Sequence, residues 1–172
     1  MAVKHKNLYL YLTLACFLGI ILIFIFDGYM GIYDSLTIKT GEYPQTIEAD
    51  QWAQQNRYGY SPSAGADWGS LAYFTYEVDN RRFSSYMADV TVSVWHSQEK
   101  VADLVEESLS VASFSKGQIE WVLDTRELVP ADFPPEQGYN LSVVINRGEI
   151  ERRVIITIIP SPYMPKVVPA PR

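Results

Sequence analysis

The hydrophobic pattern of the chain changes near position 26. Leu8 to Phe26, LYLYLTLACFLGIILIFIF, is a run of 19 positions without a charge. Beyond it, apolar residues recur at every second position in short segments. The first pattern predicts one apolar helix, and the second predicts β-strands with one solvated face. Leu71–Asp79 places Ala72, Phe74, Tyr76 and Val78 on one face and Leu71, Tyr73, Thr75 and Glu77 on the other. Tyr86–Trp95 opposes Tyr86, Ala88, Val90, Val92 and Val94 to Asp89, Thr91 and Ser93. Ile119, Trp121 and Leu123 alternate within Gln118–Asp124. Leu141, Val143 and Ile145 open another strand, Asn146-Arg147-Gly148 predicts a hairpin turn, and Ile150–Ile159 is the last long strand.

The remaining segments are less regular. Ile32, Leu36 and Ile38 predict a strand ending at Gly41, and Thr46–Asn56 predicts a short helix carrying Ile47, Trp52 and Ala53. Arg57–Ser70, RYGYSPSAGADWGS, has no branched aliphatic residue and reads as a loop. Lys100–Ser108 and Leu109–Phe114 fit strands, although ADLVEESL also suits a helical turn. Pro130, Pro134 and Pro135 mark a crossing loop, and Asp124-Thr125-Arg126-Glu127 a strand end and turn.

The charge-free run is long enough to matter. As a helix, 19 residues span roughly 28 Å, close to the ~30 Å hydrocarbon core of a bilayer. Tyr9 and Tyr11 near one end, with Tyr29 and Tyr33 past the other, suit an aromatic belt. A cleaved signal peptide would have a shorter core and a small-x-small site, whereas Phe26-Asp27-Gly28-Tyr29 offers none. A lipoprotein reading fails at Cys16, which sits mid-run behind Thr13-Leu14-Ala15. Lys4 and Lys6 precede the run and Lys39 is the first cation after it, so the positive-inside rule predicts a cytoplasmic N-terminus. The expected organisation is a cytoplasmic segment 1–7, a transmembrane signal-anchor helix 8–26, and an extracytoplasmic remainder. That remainder comprises a strand and long aromatic loop over 27–70, a β core over 71–159 and a proline-rich tail over 160–172.

Over Leu71–Ile159 the chain resembles immunoglobulin-like and fibronectin-III-like domains. The resemblance rests on Trp121-x-Leu123, a proline-containing crossing, Gly138-Tyr139-x-Leu141-x-Val143 and a glycine hairpin. It implies an all-β, immunoglobulin-like antiparallel β-sandwich. It also implies that Tyr139 forms a tyrosine corner, its hydroxyl bonding back to the crossing loop. Leu141 stands where the second cysteine of antibody domains would fall, which favours the cysteine-free relatives. A superfold of this kind carries no activity with it.

Composition narrows the chemistry. Lys4 and Lys6 aside, 12 Lys and Arg face 20 Asp and Glu, a net −8, which argues against nucleic acid and anionic headgroups as partners. Cys16 is the only cysteine, so the domain relies on burial rather than a disulfide. Beyond the apolar run the only histidine is His96, too few for a zinc set, and Met30, Met87 and Met164 do not cluster in sequence. No nucleophile elbow or phosphate loop appears, and Glu106-Glu107 on a strand point to opposite faces. The expectation is therefore no catalytic residues, no metal and no cofactor.

Three features suggest binding. Trp52, Tyr58, Tyr60 and Trp68 cluster among small polar residues, a composition suited to recognising a protein or sugar, or else to closing an open end of the core. Ala15-x-x-x-Gly19 is a small-xxx-small step that would admit another membrane helix. Pro160, Pro162, Pro165, Pro169 and Pro171 predict an extended tail. Asn140-Leu141-Ser142 is a glycosylation sequon. The partners expected are the lipid bilayer, through residues 8–26, and a membrane protein. The function expected is a non-catalytic interaction or accessory subunit. The alternative is a surface recognition domain for carbohydrate or an external protein.

Overall fold

The computed structural model describes residues 2–29, 31–129 and 138–159. Helix α1 (Ala2–Tyr29) contains an apolar stretch, Leu8–Ile25, of mean hydropathy 2.6 and wholly unburied by the rest of the chain. Its hydroxyl is satisfied internally, since Thr13 Oγ1 donates to the Tyr9 carbonyl one turn back at 2.8 Å. In its last turn Asp27 Oδ1 accepts the Phe83 backbone N–H at 2.5 Å and Oδ2 accepts the Ser84 hydroxyl at 3.0 Å. The helix end is thereby fastened to the β domain.

Strands form two sheets. β1 (Ile32–Lys39), β2 (Gln45–Glu48), β4 (Leu71–Asn80) and β7 (Ser115–Asp124) make one, in the order β2-β1-β4-β7. β3 (Ser63–Asp67), β5 (Tyr86–His96), β6 (Glu99–Val111), β8 (Tyr139–Arg147) and β9 (Ile150–Ile159) make the other, in the order β3-β9-β8-β5-β6. All described pairings are antiparallel except β3 with β9. Inward residues of both sheets form one core, with Phe74, Tyr76 and Val78 of β4 facing Val92 and Val94 of β5 and Leu141, Val143 and Ile145 of β8. Each aliphatic side chain so buried stabilises by about 1.5–3 kcal/mol, which suits a domain without a disulfide.

The alternation in β4, β5, β7 and β8 reads correctly from sequence because it is local, and β9 takes the expected span Ile150–Ile159. Elsewhere the structure differs. Within Arg57–Ser70, expected as a loop, Ser63–Asp67 forms a strand that buries Ala64 and Ala66 against β9. Its residues have weak strand propensity, and the parallel ladder supplied by β9 overrides it. The helix expected over Thr46–Asn56 begins later: β2 takes Gln45–Glu48, and helix α2 runs Ala49–Tyr58. Gln51 Oε1 accepts the Glu48 N–H at 3.1 Å in the manner of a capping box, and Gly59 follows the helix at φ +79°. Asp124 caps a one-turn helix, α3 (Thr125–Leu128), by accepting the Arg126 N–H at 2.9 Å. Glu99–Val111 is one strand, with bulges at its pairing to β5.

The domain also begins earlier than the pattern implied. Leu36, Ile38, Ile47 and Trp52 are as deeply buried as any residue of 71–159, so 27–70 contributes to the same core. The β8–β9 turn is Gly148-Glu149, with Gly148 at φ +59°, and Arg147 belongs to the strand. The crossing prolines and the proline-rich tail lie outside the described residues.

Candidate functional site

The most concentrated chemistry is inside. Asp34 on β1 lies in phase with Leu36 and Ile38, and so its carboxylate points into the core, 3% exposed. Arg147 continues the inward series Leu141, Val143, Ile145 on β8, and Arg152 opens the series Val154, Ile156, Ile158 on β9. Arg152 grips Asp34 with two bonds, Nε to Oδ2 and Nη2 to Oδ1, both 2.9 Å. Tyr76 donates its hydroxyl to Asp34 Oδ2 at 2.7 Å, and Arg147 Nη2 reaches the same oxygen at 3.3 Å. Arg147 also donates through Nε to the Tyr76 hydroxyl at 3.0 Å and through Nη1 to the Tyr86 hydroxyl at 2.8 Å.

One carboxylate thus meets two guanidiniums. The excess positive charge is met by aromatic faces: Arg152 lies 5.2 Å from the Trp52 ring and Arg147 5.3 Å from that of Tyr86. Burial opposes ionisation of Asp34, but the hydrogen bonds from Arg152 and Tyr76 and the charges of Arg152 and Arg147 hold its carboxyl below the usual range. Burial and the neighbouring Asp34 charge push the Tyr76 hydroxyl up. The Asp34 carboxylate accepts from Tyr76, Arg147 and Arg152 with its side chain wholly buried, and so has no free face for a substrate. The cluster joins β1 and β4 of one sheet to β5, β8 and β9 of the other. Sequence reading missed it, although three charged residues in phase with core positions were a usable signal.

The four aromatic candidates separate. Trp52 is 1% exposed on the inner face of α2, and its indole N–H donates to the Arg153 carbonyl at 3.2 Å. Trp68 sits in the turn after β3, partly buried against the core, its backbone N–H donating to the Ile159 carbonyl at 2.9 Å. That turn is tied by buried Thr125, whose hydroxyl accepts the Gly69 N–H at 2.8 Å. Tyr58 and Tyr60 remain exposed and stack on each other, centroids 6.2 Å apart. Tyr60 borders a shallow groove with Gln45, Gln51, Gln54 and Pro62. Only this pair has the exposure a recognition surface requires.

A second surface was not singled out from sequence. On the outer face of the four-stranded sheet, Tyr73 pairs across strands with Val122, and Leu71 lies two residues along. All three are between 41% and 49% exposed, and Tyr73 and Val122 line a groove of about 350 Å³ with Lys39, Thr75 and Glu120. Leu71 and Tyr73 had been placed on the solvated face of β4; apolar residues on both faces were the signal available.

His96 ends β5 with its ring stacked on Tyr139 at 4.2 Å and its Nδ1 3.0 Å from the Asn140 carbonyl. Tyr139 opens β8, half-buried, and the crossing loop its tyrosine corner would reach lies outside the described residues. Ala15 and Gly19 lie in the exposed apolar stretch, with open space around Gly19. Glu106 and Glu107 are both exposed on β6. Among the described residues no group of three or more His, Cys, Asp or Glu side chains is arranged to hold a metal.

No family model matches the chain, and no curated protein matches it in sequence. Among solved structures, it is similar to a β-glucosidase from Listeria innocua in complex with gluconolactone, at 9% identity and a TM-score of 0.43 over 74% of this chain and 16% of that one. A family 123 glycoside hydrolase from Clostridium perfringens matches at 10% identity and a TM-score of 0.42, over 76% of this chain and 28% of that one. The sporulation control protein Spo0M from Bacillus subtilis matches at 17% identity and a TM-score of 0.33, over 55% of this chain and 44% of that one. The chain spans well under half the length of the two hydrolases. Likenesses this slight carry no argument about its activity.

Proposed function

We propose that this chain is a single-pass membrane protein with a cytoplasmic N-terminus, whose extracytoplasmic β domain is a non-catalytic interaction or accessory module of a membrane assembly. The observation that carries the proposal is the Leu8–Ile25 helix: an 18-residue apolar surface with none of it covered by the domain. In water such a surface would be costly, and a bilayer removes the cost. The exposed strip Leu71–Tyr73–Val122 supplies a contact surface, and its mixed apolar and charged rim suits a protein. The buried ion cluster supports a structural rather than catalytic use of the strongest electrostatics in the domain.

The domain itself we read as immunoglobulin-like. The order β1-β4-β7 against β3-β9-β8-β5-β6 supports this, corresponding to strands A-B-E against A′-G-F-C-C′. The test of the function is photo-crosslinking in native membranes from position 73 or 122, followed by mass spectrometry. The expected result is a defined membrane-protein adduct from those positions and none from Glu106 on β6. Equal, diffuse labelling from all three positions overturns the reading.

The stacked pair Tyr58–Tyr60 supports a second reading, recognition of a carbohydrate through aromatic faces. Glycan-array binding by the full chain that disappears with Tyr60→Ala would favour it. Binding that survives the substitution would remove it.

A further inference from the structure

The β4–β5 loop and the β6–β7 turn lie together at the end of the domain nearest α1. Asp27, two positions beyond the apolar stretch, accepts the Phe83 N–H and the Ser84 hydroxyl. Phe114, on the β6–β7 turn, donates its N–H to the Arg82 carbonyl at 3.3 Å and sets its ring edge-on to Phe83, centroids 4.8 Å apart. Buried Asn80 holds both segments: its amide nitrogen reaches the carbonyls of Ser84 and Ala112 at 2.8 and 3.0 Å, and its oxygen accepts the Arg82 N–H at 3.1 Å. The two rings are therefore built features, held at the height where α1 leaves its apolar stretch.

Their exposure is unusual for that position. Phe83 is 45% and Phe114 56% exposed, each ring packed edge-on against the other. Phe114 also occupies φ +52°, a region that bulky L-residues avoid and where glycine or asparagine would sit without strain. Arg81, two residues before Phe83 in the chain, pairs with Asp79 at 2.8 Å and lies 4.3 Å from the Tyr33 ring. Exposed apolar rings fastened beside the end of an apolar helix suit the headgroup/acyl boundary of a bilayer.

We infer that Phe83 and Phe114 form a wedge that enters the interfacial region of the bilayer, giving the domain a second attachment beside its helix. The occupant of this surface is the lipid itself, at the boundary between headgroups and acyl chains. The inference rests on the membrane-anchor reading, which sets the rings at that height. The wedge fixes the tilt of the domain. Leu71 lies at the opposite end of β4 from Asn80, roughly 30 Å away at ~3.3 Å per residue, so the Leu71–Tyr73–Val122 strip lies towards the end of β4 remote from the wedge.

The test uses the full chain reconstituted into phosphatidylcholine vesicles containing nitroxide-labelled lipids. In a Cys16→Ser background, Phe83→Cys, Phe114→Cys and, as a control, Val122→Cys each carry an environment-sensitive fluorophore; native Cys16 is labelled separately. Strong quenching of the 83 and 114 labels by shallow nitroxides is expected, at about 5–10 Å into the headgroup/acyl boundary, with the 122 label unaffected. Labels at 83 and 114 that respond to aqueous iodide as the 122 label does, while the Cys16 label is quenched by deep nitroxides, overturn the wedge and leave the anchor standing. A Cys16 label insensitive to lipid nitroxides overturns both. Using two wedge positions guards against one substitution disturbing its own loop.

Discussion

Asp34 and Arg152, 118 positions apart in the chain, form a two-bonded ion pair between the two sheets, with the carboxylate buried and the guanidinium beside the Trp52 ring. Tyr76 and Arg147 complete the shell around the carboxylate. A domain without a disulfide is here joined across its core by a buried, hydrogen-bonded polar cluster. Its members depend on one another, because each buried charge is tolerable only while its partners remain.

Removing one partner should therefore cost far more than a surface change. Asp34→Asn leaves two guanidiniums without their carboxylate and should destabilise the domain by about 3–5 kcal/mol. Tyr76→Phe removes the hydrogen bond donated to the carboxylate and the one accepted from Arg147 Nε, and should cost at least about 1.5–3 kcal/mol. Urea denaturation of the full chain in detergent, followed by tryptophan fluorescence, measures both. Equal and small effects would show that the cluster contributes little to cohesion.

The same cluster sets an acid dependence. The folded Asp34 carboxyl titrates below its ordinary value, so its contribution is complete above the unfolded value of about 3.9. That contribution is lost as pH falls through the lower, folded value. Stability should decline as pH falls below about 4, and Asp34→Asn should flatten that part of the curve. Thermal unfolding across an acid series, compared between the two proteins, reads the difference directly.

Packing between the sheets makes a sharper demand at Gly117. A Cβ there would stand 2.7 Å from Val111 Cγ2 and 3.1 Å from Leu109 Cδ1, both on β6 of the opposite sheet. Gly117→Ala should cost about 1–3 kcal/mol by forcing β6 away. A lowered melting temperature is expected, and an unchanged one would show that β6 shifts freely.

A gain is expected at the β5–β6 turn. Ser97 is the first of its two residues and sits at φ +56°, a conformation natural to glycine. Ser97→Gly should stabilise by about 1 kcal/mol, visible as a raised denaturation midpoint.

Trp52 and Tyr60 should behave oppositely despite lying eight positions apart. Trp52→Ala empties a core site and should cost about 3–5 kcal/mol. Tyr60→Ala, at an exposed ring, should change stability by less than about 0.5 kcal/mol, so any loss of ligand binding in that variant reports recognition. Paired denaturation curves distinguish a core ring from a surface one.

Much of the fold was legible because its signals are local. The apolar run needs no knowledge of the rest of the chain: its length and lack of charge suffice for a helix suited to lipid. Likewise the inward faces of β4, β7 and β8 follow from period two, since successive side chains on a strand must point to opposite sides. Even the placement of Asp34, Arg147 and Arg152 was latent, each in phase with buried aliphatics, though their charge argued for solvent when each was considered alone.

Other features existed only once distant segments met. Ser63–Asp67 is a strand because β9 offers it a ladder, not because its small residues favour one. The aromatic cluster of 52–68 divided into core and surface according to which ring the packing of α2 and the β3 turn enclosed. The Phe83–Phe114 ring pair arises because Asn80 and Asp27 gather two turns at the end of one helix. The sequence by itself determined the elements and their apolar faces, because those depend on near neighbours. The tertiary structure alone decided which charges are buried, which aromatics are exposed and what stands beside the apolar helix, because those depend on contacts between residues far apart in the chain.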